Sequence, residues 1–134
     1  MKLLSLLLLA IILSSTMHAA EVAKITPKAA DKLVAEGKAV VVDIREPAEW
    51  AETGVVANAV LLPKSDFDGA QKQWKEFLAK NADKEVILYC RSGKRAGVVG
   101  EALAAKGIKV ANAGGFSDWQ SAGLPTRKVE AAKP

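Results

Sequence analysis

The chemistry of this chain concentrates at Cys90, the one cysteine among 134 residues. It closes the apolar run EVILYC and is followed by Arg91, Ser92, Gly93, Lys94 and Arg95, after which AGVVGEAL takes helical spacing from Ala96 onward. A cysteine at the end of a buried strand, ahead of a Gly-containing loop and a helix start, faces inward-pointing backbone N–H groups and the positive end of the helix. Such surroundings, with cations nearby, favour the thiolate, which is the nucleophilic form. The three cations are informative, because positive charge at a helix N-terminus opposes the helix dipole by about 0.3–1 kcal/mol per residue. Stability alone would place acids there. An anion is the natural occupant of such a loop, and the nearest candidate is the Cys90 thiolate; the plain alternative is a buried, inert cysteine beside three solvated side chains.

The residue counts exclude much else. One cysteine leaves no intrachain disulfide and no site built from several thiolates. The single histidine, His18, lies within residues 1–20. There Lys2, the apolar run over 3–13 and a following region rich in small residues take the order of a secretory signal. The run is shorter than the roughly 20 residues a bilayer span needs. Residues 1–20 are therefore expected to be an export signal cleaved near Ala19 or Ala20, with 21–134 forming one domain. Without that segment the chain has no histidine, and a Cys–His pair, a Ser–His pair or a His-ligated metal is excluded. The expected compartment is the periplasm, an oxidising one in which an unpaired cysteine is unusual. The net charge of +4 is spread among interleaved acids and lysines, as on a solvated surface, with no basic and aromatic tract of the kind that binds nucleic acid.

The elements that must position Cys90 alternate between strands and helices. Strands are expected over 22–25, 39–44, 59–62, 85–90 and 109–112. Thr26-Pro27 reads as a helix cap and first position, with the helix ended by Gly37. Further helices are expected over 69–80, 96–106 and 116–122, and Gly114-Gly115 reads as a turn with positive φ. This order predicts an α/β domain with a mainly parallel five-stranded sheet, which binds ligands beyond the carboxyl ends of its strands. Asp43 and Arg45 end one strand near that crevice and read as a structural ion pair. Trp50, Trp74 and Trp119 read as packing residues. Gly97 and Gly100 within a helix imply that something approaches closely.

Three segments carry a resemblance. VVVDIREPAEWAETG contains Asp43, Arg45, Glu49, Trp50 and Gly54 in a D-x-R-x-x-x-E-W pattern; YCRSGKRA is the loop; NAGGFSDWQSAGLPT contains Gly114, Gly115, Trp119, Gly123 and Pro125. In this order, and over nearly all of 21–134, the chain resembles the single-domain rhodaneses. Val55 and Asn58 depart from that family's habitual His and Gly. The resemblance implies a three-layer rhodanese-like fold and transfer of sulfur from thiosulfate or a similar donor to cyanide or a thiol through a persulfide on Cys90. Arg91, Ser92, Gly93, Lys94 and Arg95 would bind the substrate, with no metal or organic cofactor. The partners implied are a small anionic donor and a thiophilic acceptor, with no stable membrane association after export. Three alternatives stand beside it: a binding module without turnover, a persulfide relay with a dedicated partner, and a phosphatase. The phosphatase loop is C-x5-R, whereas Cys90 to Arg95 is C-x4-R, one residue shorter.

Overall fold

The computed structural model describes residues 22–131, so the export signal read over 1–20 lies outside the described residues. The β-branched run after Lys38 forms β2 (Ala39–Asp43), and EVILYC forms β5 (Glu85–Cys90). With β1 (Ala23–Lys24), β4 (Val60–Leu61) and β6 (Val110–Gly115) they make a five-stranded sheet of order β1-β6-β5-β2-β4. Every pairing in it is parallel. A parallel sheet is covered on both faces, which is why its central strands are apolar without alternation. Along β5 the side chains still divide by parity. Val86, Leu88 and Cys90 pack on the face that holds Trp74, Phe77, Ala96, Val99 and Leu103. Ile87 and Tyr89 pack on the other, with Ala30, Phe116 and Trp119. Helices α1 (Pro27–Ala35) and α6 (Phe116–Ser121) cover that second face. The Cys90 face is covered by α4 (Lys72–Lys80) and α5 (Lys94–Ala105). Between β2 and β4, α2 (Pro47–Thr53) buries Trp50.

The three-layer α/β architecture expected from the sequence is the one observed, with differences in detail. The helix expected over 69–80 is α4, which starts only at Lys72, and a short helix that was not expected, α3 (Lys64–Asp68), precedes it. That start is set by Asp66, whose Oδ2 accepts the N–H groups of Gln73 and Trp74 at 3.1 Å each and so caps α4 from the preceding helix. An antiparallel pair, β3 (Val55–Val56) with β7 (Thr126–Arg127), has two residues per strand and is too short to leave a pattern. Val55, one of the two departures from the family pattern, is fully buried in that pair, whereas Asn58 is exposed. Helix α5 starts at Lys94, two residues before the expected Ala96, and β6 runs on to Gly115 instead of ending at 112. The close approach implied by Gly100 is made by the side chain of Val22, whose Cγ1 would lie 2.9 Å from an added Cβ.

Candidate active site

Cys90 is 1% exposed at the carboxyl end of the central strand. Gly93 donates its N–H to the Cys90 Sγ at 3.1 Å. Gly93 has φ +91°, a conformation that glycine adopts without strain from a Cβ, and it turns the loop into α5. Its carbonyl accepts the Gly97 N–H and the Nδ2 of Asn112, both at 2.9 Å. Asn112 Oδ1 in turn accepts the Gly114 N–H at 2.9 Å. One amide side chain on β6 therefore holds the loop that follows β5.

A second contact fixes the other end of the loop. The Arg91 carbonyl packs on Gly115, where a Cβ would lie 2.3 Å from its oxygen. Leu88 stands opposite Asn112 and Cys90 opposite Gly115, so β6 uses one more residue than β5 over this stretch. The expected positive φ belongs to Gly114 alone, at +83°; Gly115 has φ −107° and is needed for space rather than for its dihedral angle. Asp118 caps α6 by accepting the Gly115 N–H at 2.8 Å.

The structure brings the five loop residues together but treats the cations differently. Arg91 and Lys94 are exposed, as is Ser92. Arg95 is half-buried, and its Nη1 and Nη2 donate to Glu49 Oε2 and Oε1, each at 2.8 Å. The hydrogen bonds from Arg95 are the main reason that the Glu49 carboxyl titrates at about 2 instead of 4.5. The same hydrogen bonds raise the Arg95 pKa above the usual arginine range, with a further contribution from the charge of Cys90. Arg91 lies on a cleft of about 270 Å³ whose walls include Arg45, Glu49, Glu52 and Phe116. Ser92 and Gly93 border a second hollow of about 480 Å³ on the opposite flank, next to Thr26, Asn112 and Asp118.

Beside the loop, Asp43 and Arg45 are 0% and 2% exposed. Arg45 donates from Nε to both Asp43 carboxylate oxygens at 3.1 Å and from Nη2 to Oδ2 at 2.8 Å. Its remaining donors reach Thr53 Oγ1 and the Gly54 carbonyl at 2.8 Å, and Trp50 Nε1 donates to Asp43 Oδ1 at 3.0 Å. Burial opposes the Arg45 charge, but the hydrogen bonds and charge of Asp43 outweigh it and the pKa rises. The ion pair is structural, as read from the sequence, and it ties β2 to α2. Trp50, Trp74 and Trp119 are all buried packing residues. Among the described residues no three His, Cys, Asp or Glu side chains gather as a metal site. No helix there is long and apolar enough to cross a membrane.

The sequence reading assigned no role to Asn112 or Glu49. Asn112 is detectable as a residue of low strand propensity inside a strand. Glu49 lies 46 residues from Arg95, and no local spacing links them.

A cysteine closing the central parallel strand, a tight loop and the Asp43–Arg45 anchor define a class of protein. The chain belongs to the rhodanese-like domain family, whose model matches residues 26–122. It is 32% identical over 110 residues to an uncharacterized protein of Synechocystis, a match covering 81% of this chain and 58% of that protein. The chain thus spans just over half the length of that curated relative. A polysulfide-sulfur transferase homodimer from Wolinella succinogenes superposes with TM-score 0.64 at 26% identity, covering 83% of this chain and 82% of the other. A Rhodopseudomonas palustris protein described as a possible tyrosine phosphatase gives 0.66 at 26%, covering 79% and 85%. The family model and the Wolinella succinogenes neighbour support a sulfurtransferase-type family.

Proposed function

We propose that the protein is a sulfurtransferase that takes sulfane sulfur from thiosulfate or a similar small anion and carries it as a Cys90 persulfide. The observation that carries this reading is the Cys90 Sγ at the end of the central strand, accepting the Gly93 N–H beside a helix start crowded with cations. The Cys90 thiolate attacks the outer sulfur of thiosulfate. A bond forms between Sγ and that sulfur, the bond to the inner sulfur breaks, and sulfite leaves with the electron pair. A thiolate or cyanide then attacks the outer persulfide sulfur and releases the Cys90 thiolate. The Gly93 N–H supports the negative sulfur, and the exposed Arg91 and Lys94 attract the donor. Ser92 is a further donor group at the loop, and Arg95 bears on the sulfur through its charge. The reaction takes place after export, in the periplasm, and needs no cofactor.

The loop is C-x4-R, one residue short of the phosphatase form, which favours a sulfur atom over a phosphoryl group despite the likeness to the Rhodopseudomonas palustris protein. The test is to incubate the protein with thiosulfate and weigh it. The wild type is expected to gain one sulfur atom and to convert cyanide to thiocyanate, and Cys90→Ser to do neither while keeping its fold. Wild-type protein that forms no persulfide would overturn the enzyme reading. Cys90-dependent hydrolysis of an aryl phosphate would replace it with the phosphatase.

A further inference from the structure

We propose that Glu49 is a positioning residue of the sulfur site: from α2 it holds the Arg95 guanidinium beside Cys90 and offsets its charge. The loop then attracts an anionic donor without trapping the persulfide anion. This rests on the sulfurtransferase reading and adds a residue from outside the loop to it.

The geometry is a two-pronged one. Both terminal nitrogens of Arg95 are held by the two oxygens of one carboxylate at 2.8 Å, the arrangement in which an arginine side chain has least freedom. The carboxylate is itself fixed. Glu49 Oε2 also accepts the Glu46 N–H at 2.9 Å, and the Glu46 carboxylate accepts the Ser65 N–H at 3.0 Å and the Ser65 Oγ at 2.7 Å. Glu49 is thus braced through Glu46 against α3. Helix α5 has no acid in its first turn, only Lys94 and Arg95. The negative charge that a helix start favours comes instead from α2, across the crevice. Glu49 also forms part of the wall of the cleft on which Arg91 lies.

The chemistry needs this offset. A loop carrying every cation unpaired would hold thiosulfate and the persulfide anion alike, and binding both ground states more tightly does not speed the discharge. With Glu49 in place, the Arg95 charge is paired at the start of α5, and the exposed cations of the loop are Arg91 and Lys94.

The test compares Cys90 alkylation by iodoacetate, an anion, and iodoacetamide, which is neutral. In Glu49→Gln the ratio of the two rates is expected to rise about three- to tenfold over wild type, the size expected of one uncompensated charge at this range in a partly screened site. Glu49→Asp, which keeps the charge, is expected to restore the wild-type ratio. The KM for thiosulfate should fall in Glu49→Gln while kcat falls or stays level, a split that loss of packing alone would not give. If Glu49→Gln does not fold, Arg95→Gln is used, and its ratio is expected to fall below wild type. An unchanged ratio in the folded variant overturns the proposal. The ratio reads charge at Cys90 without any sulfur transfer. Failure of the wild type to form a persulfide therefore overturns the sulfurtransferase reading, and a flat ratio overturns this one.

Discussion

Strands β2 and β5 lie side by side in register, with Asp43 opposite Tyr89, and each delivers an arginine just past its carboxyl end. The two arginines have opposite fates. Arg45 is buried, its guanidinium carbon 4.6 Å from the Phe116 ring centre, with its donors spent on Asp43, Thr53 and Gly54. Arg91 is exposed on the wall of a cleft. A buried charge must be paired, because an unpaired one is costly to desolvate; an exposed charge can wait for a ligand at little cost. The fold thus fastens one strand end with a closed ion pair and leaves its neighbour's cation open to solvent. On the proposed function, binding capacity sits where charge is left open, and rigidity where it is closed.

That contrast can be broken at either end. Asp43→Ala leaves Arg45 buried without its partner and is expected to cost about 3–5 kcal/mol in urea denaturation. Arg91→Ala is expected to change stability by less than about 0.5 kcal/mol while lowering kcat/KM for thiosulfate. Equal losses of stability would erase the distinction. At the join between the two ends, Gly115→Ala forces the Arg91 carbonyl away from β6. It is expected to cost about 1–3 kcal/mol, with a larger proportional loss of sulfur transfer than of stability. Wild-type kinetics in that variant would show that the loop does not depend on this approach. The smallest effect is expected of Lys94→Gln. It should gain about 0.3–1 kcal/mol by removing a cation from a helix start, while the KM for thiosulfate rises. A gain in stability with an unmoved KM would remove Lys94 from the substrate's path.

Much of this was legible in the chain. The layers, the parallel sheet and the place of Cys90 follow from apolar runs that end in glycine, proline and charge, since those signals are local. The late start of α4 and the short α3 before it were not legible, because the cap that sets the start comes from Asp66, outside the helix it caps. The loop was found as a loop, but its two fasteners, Asn112 and Gly115, act from a neighbouring strand. Arg95 was grouped with Arg91 and Lys94 by its position; only the fold brings Glu49 to it and sets it apart. What was missed was pairing across distance, which periodicity does not record.

The extra residue of β6 opposite Leu88 to Cys90 has a consequence for how such a chain can change. Asn112 and Gly115 reach the loop from opposite ends of a stretch that is one residue longer than its partner. Substitutions within that stretch leave the count intact. A deletion at Ala113 would bring the two strands into equal step and draw Gly115 out from under the Arg91 carbonyl. The loop is therefore guarded by length as well as by composition, and a chain that kept the cysteine but lost one residue before the last helix would keep the thiol without the support of Gly115.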